Sequence, residues 1–211
     1  MNPVIILGAK NHGGVALDNF KSNGITIYCL LDDDESIHNT EIDDVSVLGS
    51  CDDDGYLKLI NNKCDAFVAI DDRKLHQHYV ELIKERRHVQ IVNSIHKLAL
   101  VSDKVSIGHG NMINLGAKIG AFVEISNYAL IQTGAIVDQY AKLADYVNIG
   151  AGAVVGAQAV IEEGAFVGSG AVIVSGVTVG KGARIGAGSI VVENVAANKT
   201  VFGYPAKEVK V

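Results

Sequence analysis

Aliphatic residues recur at every sixth position along the second half of the chain. From Ile95 to Val191, each sixth residue is Ile, Val or Leu, seventeen times without interruption. A period of six matches neither an α-helix, with 3.6 residues per turn, nor a strand that alternates every two residues. It is typical of a parallel β-helix of hexapeptide repeats, in which each hexad makes one short strand and one corner. We predict such a β-helix, with about five to six coils, over residues 94–197.

Small residues recur in register with this series. Gly lies three residues before an aliphatic position at nine places, and Ala lies two residues before one at ten places. Gly adopts corner dihedrals that a Cβ opposes. Three hexads complete one coil, so residues 18 apart are expected to stack at about 4.8 Å, the spacing of neighbouring strands.

Composition narrows the class of protein. The change of pattern near residue 93 indicates two domains in a chain of 211 residues. A net charge of -6 argues against nucleic acid as a partner, because neutralising phosphates needs basic patches. The chain has no run of 18 apolar residues and no basic leader, which favours a cytoplasmic protein without membrane insertion. Cys29, Cys51 and Cys64 lack CxxC spacing and are expected to be buried, reduced thiols.

The first domain, residues 1–93, alternates strands with helices. The predicted elements, in order, are a strand Pro3–Leu7, a turn Gly8–Gly14, a helix to about Lys21, and strands Ile25–Leu31 and Ala66–Ile70, followed by a helix Lys74–Arg86 and a strand Val89–Val92. This alternation predicts a parallel sheet with right-handed crossovers. About ninety residues make half of a dinucleotide-binding fold, which argues against a whole NAD and favours a nucleotide carrying a small group, such as a nucleotide-sugar.

Ligands of such sheets bind at the carboxyl ends of the strands, near a glycine turn and a helix N-terminus that favours anions. Here those positions are the Gly8–Gly14 turn, the pair Asp32 and Asp33, and Asp71 with its neighbour Asp72. Asp32, 24 positions after Gly8, is suited to hold ribose hydroxyls. His76 and His78 have no third ligand near them in sequence, so no metal is expected.

The combination of a half-Rossmann domain and a hexapeptide β-helix resembles the bacterial sugar O/N-acyltransferases. These include bacillosamine-pathway and perosamine acetyltransferases and sialic-acid O-acetyltransferases. The resemblance covers essentially the whole chain, and its landmarks are Gly8…His12-Gly13, Leu31-Asp32-Asp33, Asn93-Ser94-Ile95-His96-Lys97 and Gly203-Tyr204-Pro205-Ala206-Lys207. It implies a left-handed β-helix, a homotrimer with acetyl-CoA in a groove between two subunits, and a nucleotide-linked amino sugar on the first domain. Residues 198–211 are expected to cap the β-helix.

The resemblance also implies roles for particular residues. Asn11 and His12 match the turn that contacts the nucleotide-sugar, Asp32 and Asp33 match its acidic pair, and Lys10 stands where the family usually has a small residue. Lys10 and Asp71 complete the expected substrate site. The positions that line the acetyl-CoA groove are Asn148, Ser169 and Ala187.

The catalytic position departs from the family pattern. The family base is a histidine, and Gln139 stands in its place between Asp138 and Tyr140, with Tyr140 where an acidic partner is expected. The chain has no histidine after His109, which is assigned to an early coil and a different face. Without a base, transfer to a sugar amine is favoured over transfer to a hydroxyl. An amine beside electron-withdrawing oxygens resembles an α-amino group, whose pKa is about 7.7–8.0.

Three functions remain open at this stage. The first is an acetyl-CoA-dependent N-acetyltransferase that acts on a nucleotide-linked amino sugar, with Asp138 or a water taking the proton. The second is a non-catalytic relative that binds nucleotide-sugar or serves as a structural subunit. The third is an acyltransferase with another donor or acceptor. Thiol release from acetyl-CoA with a 4-amino-6-deoxy nucleotide-sugar distinguishes the first two.

Overall fold

A computed structural model describes residues 2–209 of the chain. It contains two compact units, the first ending at Lys97 and the second beginning at Leu98. The domain boundaries predicted at 93/94 and 197/198 stay predictions. Residues 210 and 211 of the expected cap lie outside the described residues.

The first unit is built around a five-stranded sheet of order β3-β4-β2-β1-β5. Its elements are β1 (Val4–Leu7), α1 (His12–Ser22), β2 (Ile27–Leu31), a 3-10 turn (Glu35–Ile37), β3 (Glu41–Ile42), β4 (Val45–Gly49), α2 (Asp54–Leu57), β5 (Asp65–Val68), α3 (Arg73–Arg87) and β6 (Ser94–Ile95). Strand β1 pairs in parallel with both β2 and β5. All four of its residues are fully buried, which explains why its sequence is an unbroken apolar run.

The sequence prediction of this unit is correct for the central strands and the long helices and wrong at two places. Residues 89–92 form no strand. Ile91 is buried, and the backbone N–H of Val92 donates one hydrogen bond to the carbonyl of Ala66 at 3.1 Å. The apolar pattern there therefore reflects burial and a single backbone contact, not the repeated hydrogen bonds of a strand. The antiparallel pair β3–β4 was not predicted.

The second unit is a left-handed parallel β-helix of two-residue strands, as predicted. Its strands are β7 (Leu100–Val101), β8 (Ser106–Ile107), β9 (Met112–Ile113), β10 (Lys118–Ile119), β11 (Glu124–Ile125), β12 (Leu130–Ile131), β13 (Ile136–Val137), β14 (Lys142–Leu143), β15 (Asn148–Ile149), β16 (Val154–Val155), β17 (Val160–Ile161), β18 (Phe166–Val167), β19 (Val172–Ile173), β20 (Thr178–Val179), β21 (Arg184–Ile185), β22 (Ile190–Val191), β23 (Thr200–Gly203) and β24 (Ala206–Glu208).

Each prism face is one sheet of every third strand. We name β7, β10, β13, β16, β19 and β22 face 1, β8, β11, β14, β17 and β20 face 2, and β9, β12, β15, β18 and β21 face 3. Strands pair in parallel with a step of 18 residues, as between Ile119 and Val137. The second residue of each strand points inward, and from Ile113 to Val191 these side chains are at most 3 % exposed. The predicted six-residue period is therefore the period of the core.

The three corners differ in composition. We name the corner between faces 3 and 1 the glycine corner, because its left-handed positions are all glycine: Gly116, Gly134, Gly152, Gly170 and Gly188. The corner between faces 1 and 2 carries Phe122, Tyr140, Gln158 and Gly176 at these positions, and the remaining corner carries Gly110, Tyr128, Tyr146, Gly164 and Gly182. The aromatic residues stack in pairs, Phe122 on Tyr140 with ring centroids 5.0 Å apart and Tyr128 on Tyr146 at 4.9 Å.

The repeat ends where its period is broken. Val195 bridges Val179 across 16 residues instead of 18, and Thr200 likewise pairs with Arg184. Strand β23 thus extends face 3, and β24 folds back on it in an antiparallel hairpin. The ring of Phe202 in this hairpin occupies the space that a Cβ on Gly186 would need.

Candidate active site

A pocket of about 250 Å³ lies at the carboxyl ends of β1, β2 and β5 in the first unit. Its lining residues are Gly8, Lys10, Asn11, Asp32, Asp33, Cys51, Ala69, Ile70, Asp71, Asp72 and Leu75. Parallel strands that end at one edge bring residues distant in sequence together. Five of the six predicted substrate residues line this pocket, and the sixth, His12, contacts one of them.

The turn after β1 requires glycine at two positions. A Cβ on Gly8 would lie 2.7 Å from the carbonyl oxygen of Ala69, and one on Gly13 would lie 2.2 Å from that of Gly8. Between them Asn11, the N-cap of α1, has φ 39° and ψ −98°, a sparsely populated conformation. Its side chain does not cap the helix. The turn therefore lets the backbone approach closely and leaves the N-terminus of α1 without a side-chain cap.

Asp71 organises the turn. One of its carboxylate oxygens accepts a hydrogen bond from Asn11 Nδ2 at 2.6 Å, and the other lies 2.6 Å from Nδ1 of His12. This contact fixes the orientation of the imidazole, with Nε2 as the remaining ring nitrogen. His76 lies near His12, and burial lowers the pKa of His76 to about 4, so that this second ring is neutral at pH 7.

The two predicted acidic residues after β2 have different environments. Asp32 accepts hydrogen bonds from the backbone N–H groups of Ala9 at 2.8 Å and Asp34 at 3.0 Å, which joins the glycine turn to β2. Asp33 accepts from the N–H of Cys51 at 3.0 Å and from the hydroxyl of Tyr79 at 2.6 Å. Both oxygens of Asp33 are thus used inside the unit, and its role is structural as well as pocket-lining.

The predicted catalytic residues lie at the corner between faces 1 and 2. Asp138, Gln139 and Tyr140 are exposed there, and Asp138 Oδ1 accepts a hydrogen bond from the N–H of Gln139 at 2.8 Å. Asp138 also lines an open cavity of about 580 Å³ with Ser102 and Lys118 on face 1. His109 lies at a different corner, as predicted, where its N–H donates to Asn127.

The predicted acetyl-CoA residues lie on face 3 and along the glycine corner. Asn148 is on face 3, and its buried Oδ1 has no hydrogen-bond partner among the described residues. Ser169 and Ala187 are exposed and precede Gly170 and Gly188. A Cβ added at either of these two glycines would meet no atom within 4 Å. The glycine corner is therefore an open strip without side chains at these positions.

The structure brings the predicted substrate residues together in one pocket. The predicted catalytic residues and the predicted acetyl-CoA residues are not brought together within one prism, because they lie at different places around it. Sequence reasoning did not include Cys51 in the pocket lining, nor the contacts of Asp34 with Lys10 and Tyr79 with Asp33. The available signal for Asp34 was its place in the acidic run that follows β2, three residues after the strand ends. Tyr79 lies in the middle of α3, and the sequence around it gives no such signal.

The described residues hold no group of three or more His, Cys, Asp or Glu that is placed to bind a metal ion. Within residues 2–209, no helix combines the length and the apolar character needed to cross a bilayer. The three cysteines are buried and free.

A parallel half-Rossmann sheet with a pocket at its carboxyl edge, joined to a hexapeptide prism, defines a sugar acyltransferase architecture. Two family profiles match, "PglD N-terminal domain" over residues 3–83 and "Bacterial transferase hexapeptide (six repeats)" over residues 158–192. No curated protein matches by sequence. A GDP-perosamine N-acetyltransferase of Caulobacter crescentus is 30% identical, with a TM-score of 0.89, and the match covers 100% of this chain and 98% of that one. The chain belongs to the bacterial sugar acyltransferases with hexapeptide repeats.

Several of the solved relatives carry ligands. The Caulobacter enzyme was solved with CoA and GDP-perosamine as a histidine-to-alanine variant and as a histidine-to-asparagine variant, the second 29% identical to this chain with a TM-score of 0.88. The acetyltransferase domain of PglB from Neisseria gonorrhoeae, in complex with acetyl coenzyme A, is 25% identical with a TM-score of 0.87, and the match covers 99% of both chains. The two variants show that loss of one histidine in that relative leaves both ligands bound.

Proposed function

We propose that this acyltransferase is a cytoplasmic N-acetyltransferase that uses acetyl-CoA and a nucleotide-linked amino sugar in the synthesis of a surface polysaccharide or glycan. The observation that carries the proposal is the pocket in which the glycine turn, Asp32 and Asp71 converge. The Caulobacter relative, matched over almost its whole length, binds GDP-perosamine and CoA.

The pocket offers separate groups to the parts of a nucleotide. Asp32, at the end of β2, is placed to accept hydrogen bonds from ribose hydroxyls. The N-terminus of α1 presents backbone N–H groups and a positive dipole end to a diphosphate. Asn11 and His12, both held by Asp71, line the path of the phosphates and the sugar.

The glycine corner suits the extended arm of CoA. The backbone N–H groups of Ala151, Ser169 and Ala187 donate to no group among the described residues, so they are available as a ladder of donors. With Gly152, Gly170 and Gly188 following them, no side chain at these positions blocks a ligand that lies along the prism. The unpaired Oδ1 of Asn148 is a further acceptor beside this strip.

The chemistry requires a neutral amine at the thioester carbon. Attack forms the C–N bond, the C–S bond breaks, the CoA sulfur leaves as thiolate, and the amine gives up one proton. Proximity alone can supply roughly 7–11 kcal/mol of the barrier. Gln139 neither accepts nor releases a proton near neutrality, so the proton passes to Asp138 or to water. An amine needs this help less than a hydroxyl does, which favours N-transfer over O-transfer.

We further propose a homotrimer in which two subunits complete each site. Gln139 and Asp138 lie at the corner between faces 1 and 2, whereas Ser169 and Ala187 lie at the glycine corner, so one prism cannot bring these sets to the same substrate. Face 1 presents a row of apolar outward residues, and a subunit contact is the expected cover for it. This row consists of Leu100, Ile136, Val154, Val172 and Ile190, and Lys118 interrupts it between Leu100 and Ile136.

The test measures CoA release from acetyl-CoA with GDP- and UDP-linked 4-amino-6-deoxy sugars, together with product mass. Addition of one acetyl group to the sugar nitrogen supports the proposal. Binding of nucleotide-sugar and CoA without turnover favours the non-catalytic alternative, for which the missing histidine is the supporting observation. Turnover only with another acyl donor or a free sugar favours the third. A monomeric mass by light scattering at micromolar concentration contradicts the shared site.

A further inference from the structure

The pocket of the first unit poses an electrostatic problem for the proposed ligand. Four carboxylates line it, Asp32, Asp33, Asp71 and Asp72. A nucleoside diphosphate brings additional negative charge, and like charges at close range disfavour binding. Of the described residues that line the pocket, Lys10 is the one with a cationic side chain. How this pocket accepts a diphosphate is a question that rests on the proposed function.

The four carboxylates are committed to holding the walls of the pocket. Asp32 and Asp33 accept backbone N–H groups, and Asp33 also accepts from Tyr79. Asp71 binds Asn11 and His12, and Asp72 caps α3 by accepting from the N–H of Leu75 at 2.8 Å. Such contacts hold the four side chains in fixed positions. Lys10 is therefore freer than these four carboxylates to change its partner when a ligand binds.

Lys10 is held at the pocket by a residue that does not line it. Its Nζ forms an ion pair with the carboxylate of Asp34, and the two side chains are 54% and 36% exposed. The hydrogen bond to Asp34 raises the pKa of Lys10, and the hydrogen bond from Lys10 lowers the pKa of Asp34. Asp34 also accepts from the N–H and the hydroxyl of Ser36 and so caps the 3-10 turn. Asp34 thus keeps partners of its own when Lys10 leaves.

We propose that Lys10 exchanges partners on binding: it pairs with Asp34 in the empty pocket and with the diphosphate in the occupied one, so that Asp34 competes with the ligand and sets its affinity. Ion pairs exposed to solvent contribute little to stability, so opening this one costs little. Charge-assisted hydrogen bonds to phosphate are stronger than neutral ones. The long, flexible lysine stem allows the ammonium to move between the two.

The test compares ligands with and without phosphates by isothermal titration calorimetry on the full chain. The probes are GDP and UDP, with guanosine and uridine as their uncharged counterparts. Lys10→Met removes the charge at similar length, Lys10→Arg keeps it, and Asp34→Asn keeps the acceptor for Ser36 while removing the competitor. Lys21→Met is the matched control, because Lys21 pairs with Asp43 in the same unit and does not line the pocket.

Opposite effects are expected at the two ends of the ion pair. Lys10→Met should weaken diphosphate binding about three- to tenfold, and Asp34→Asn should strengthen it about two- to fivefold. Binding of the nucleoside should change less than twofold, Lys10→Arg should retain most of the affinity, and Lys21→Met should have no effect. The differences should shrink at about 0.5 M NaCl, where the Debye length is only a few ångströms.

Two outcomes overturn the inference. Unchanged diphosphate affinity in Lys10→Met removes the role of Lys10, and weaker binding in Asp34→Asn shows that the pair merely supports the turn. Either result leaves the nucleotide pocket itself intact. A folded wild-type protein that binds neither GDP nor UDP refutes the nucleotide site and the proposed function together.

Discussion

The two units reach their binding surfaces by opposite routes. In the first unit, the pocket is assembled from residues far apart in sequence, since the hydrogen bond between Asn11 and Asp71 spans 60 positions. In the second, a surface is built by repetition, so that Ser169 and Ala187 lie one 18-residue step apart along the same corner. A single substitution changes one contact of a network in the first unit and one rung of a ladder in the second.

This difference determines where a family member tolerates change. The network of the first unit is closed, because Asp32, Asp33 and Asp71 each hold two partners. The corner that carries Gln139 is open and exposed, and its backbone is held by the coil hydrogen bond from the N–H of Gln158 at 3.0 Å. An exchange of the side chain at such a corner is therefore compatible with an intact fold.

The largest expected effect follows from introducing a histidine at position 139, where the family resemblance implies the general base. Gln139→His should raise the rate of N-acetylation by something near 10²–10⁴-fold, the usual contribution of a general base. The gain will be smaller if the imidazole lacks an orienting carboxylate, and the double variant Gln139→His/Tyr140→Glu tests this. The measurement is kcat/KM for CoA release with the amino-sugar acceptor.

Gln158→His serves as the control, since it places a histidine at the same corner, one coil further along than Tyr140. A gain in this variant would mean that any added imidazole suffices. Wild-type rates equal to those of histidine-bearing relatives, with no gain in either Gln139 variant, would show that Asp138 or another group already takes the proton.

Identical core truncations in the two units sharpen the comparison. Ile6→Ala in β1 and Ile149→Ala in the prism each remove a fully buried side chain and should cost about 2–5 kcal/mol in the free energy of unfolding. In a solenoid each coil contacts only its neighbours. Hydrogen exchange should therefore rise in the coils next to Ile149 but throughout the sheet around Ile6. Equal spread in both variants would contradict this view.

The same contrast, between an assembled pocket and a repeated surface, explains how much of each unit could be predicted from the sequence. The inward positions from Ile113 to Val191 could be read from the six-residue series, because one period fixes this part of the core, whereas the shorter step to Val195 lies off the series. In the first unit, strand ends predicted Asp32 and Asp71, but the hydrogen bond from Tyr79 to Asp33 spans 46 residues and has no sequence signature. The wrong strand at 89–92 has a similar origin, since burial of Ile91 does not specify a pairing partner.

The first unit should also be the more sensitive to acid. Burial lowers the pKa of His76 from its ordinary 6.5 to about 4, so between these values the unfolded state binds more protons than the folded one. The associated stability is present above pH 6.5 and is lost as the pH falls towards 4, by about 3 kcal/mol at most. His76→Asn should flatten this dependence in urea unfolding. His78→Asn, an exposed position on the same helix, should leave it unchanged.

The smallest effects are expected where the corners differ. Phe122 is 49% exposed and has φ 59°, so Phe122→Gly relieves roughly 1–2 kcal/mol of left-handed strain but loses a ring stack worth about 0.5–1.5 kcal/mol. The net change in unfolding free energy should stay within about 1 kcal/mol. Gly134→Ala adds the strain alone, because its Cβ meets no atom within 4 Å, and should cost about 1 kcal/mol.

The mass of the assembly separates the two explanations for these aromatic residues. If they are subunit contacts, Phe122→Gly should lower the mass measured by light scattering at micromolar concentration, while Gly134→Ala should leave it unchanged. A loss of several kcal/mol in Phe122→Gly at constant mass would instead assign the stacked rings to the stability of the single prism. The aromatic corners would then be part of the fold that the six-residue series does not encode.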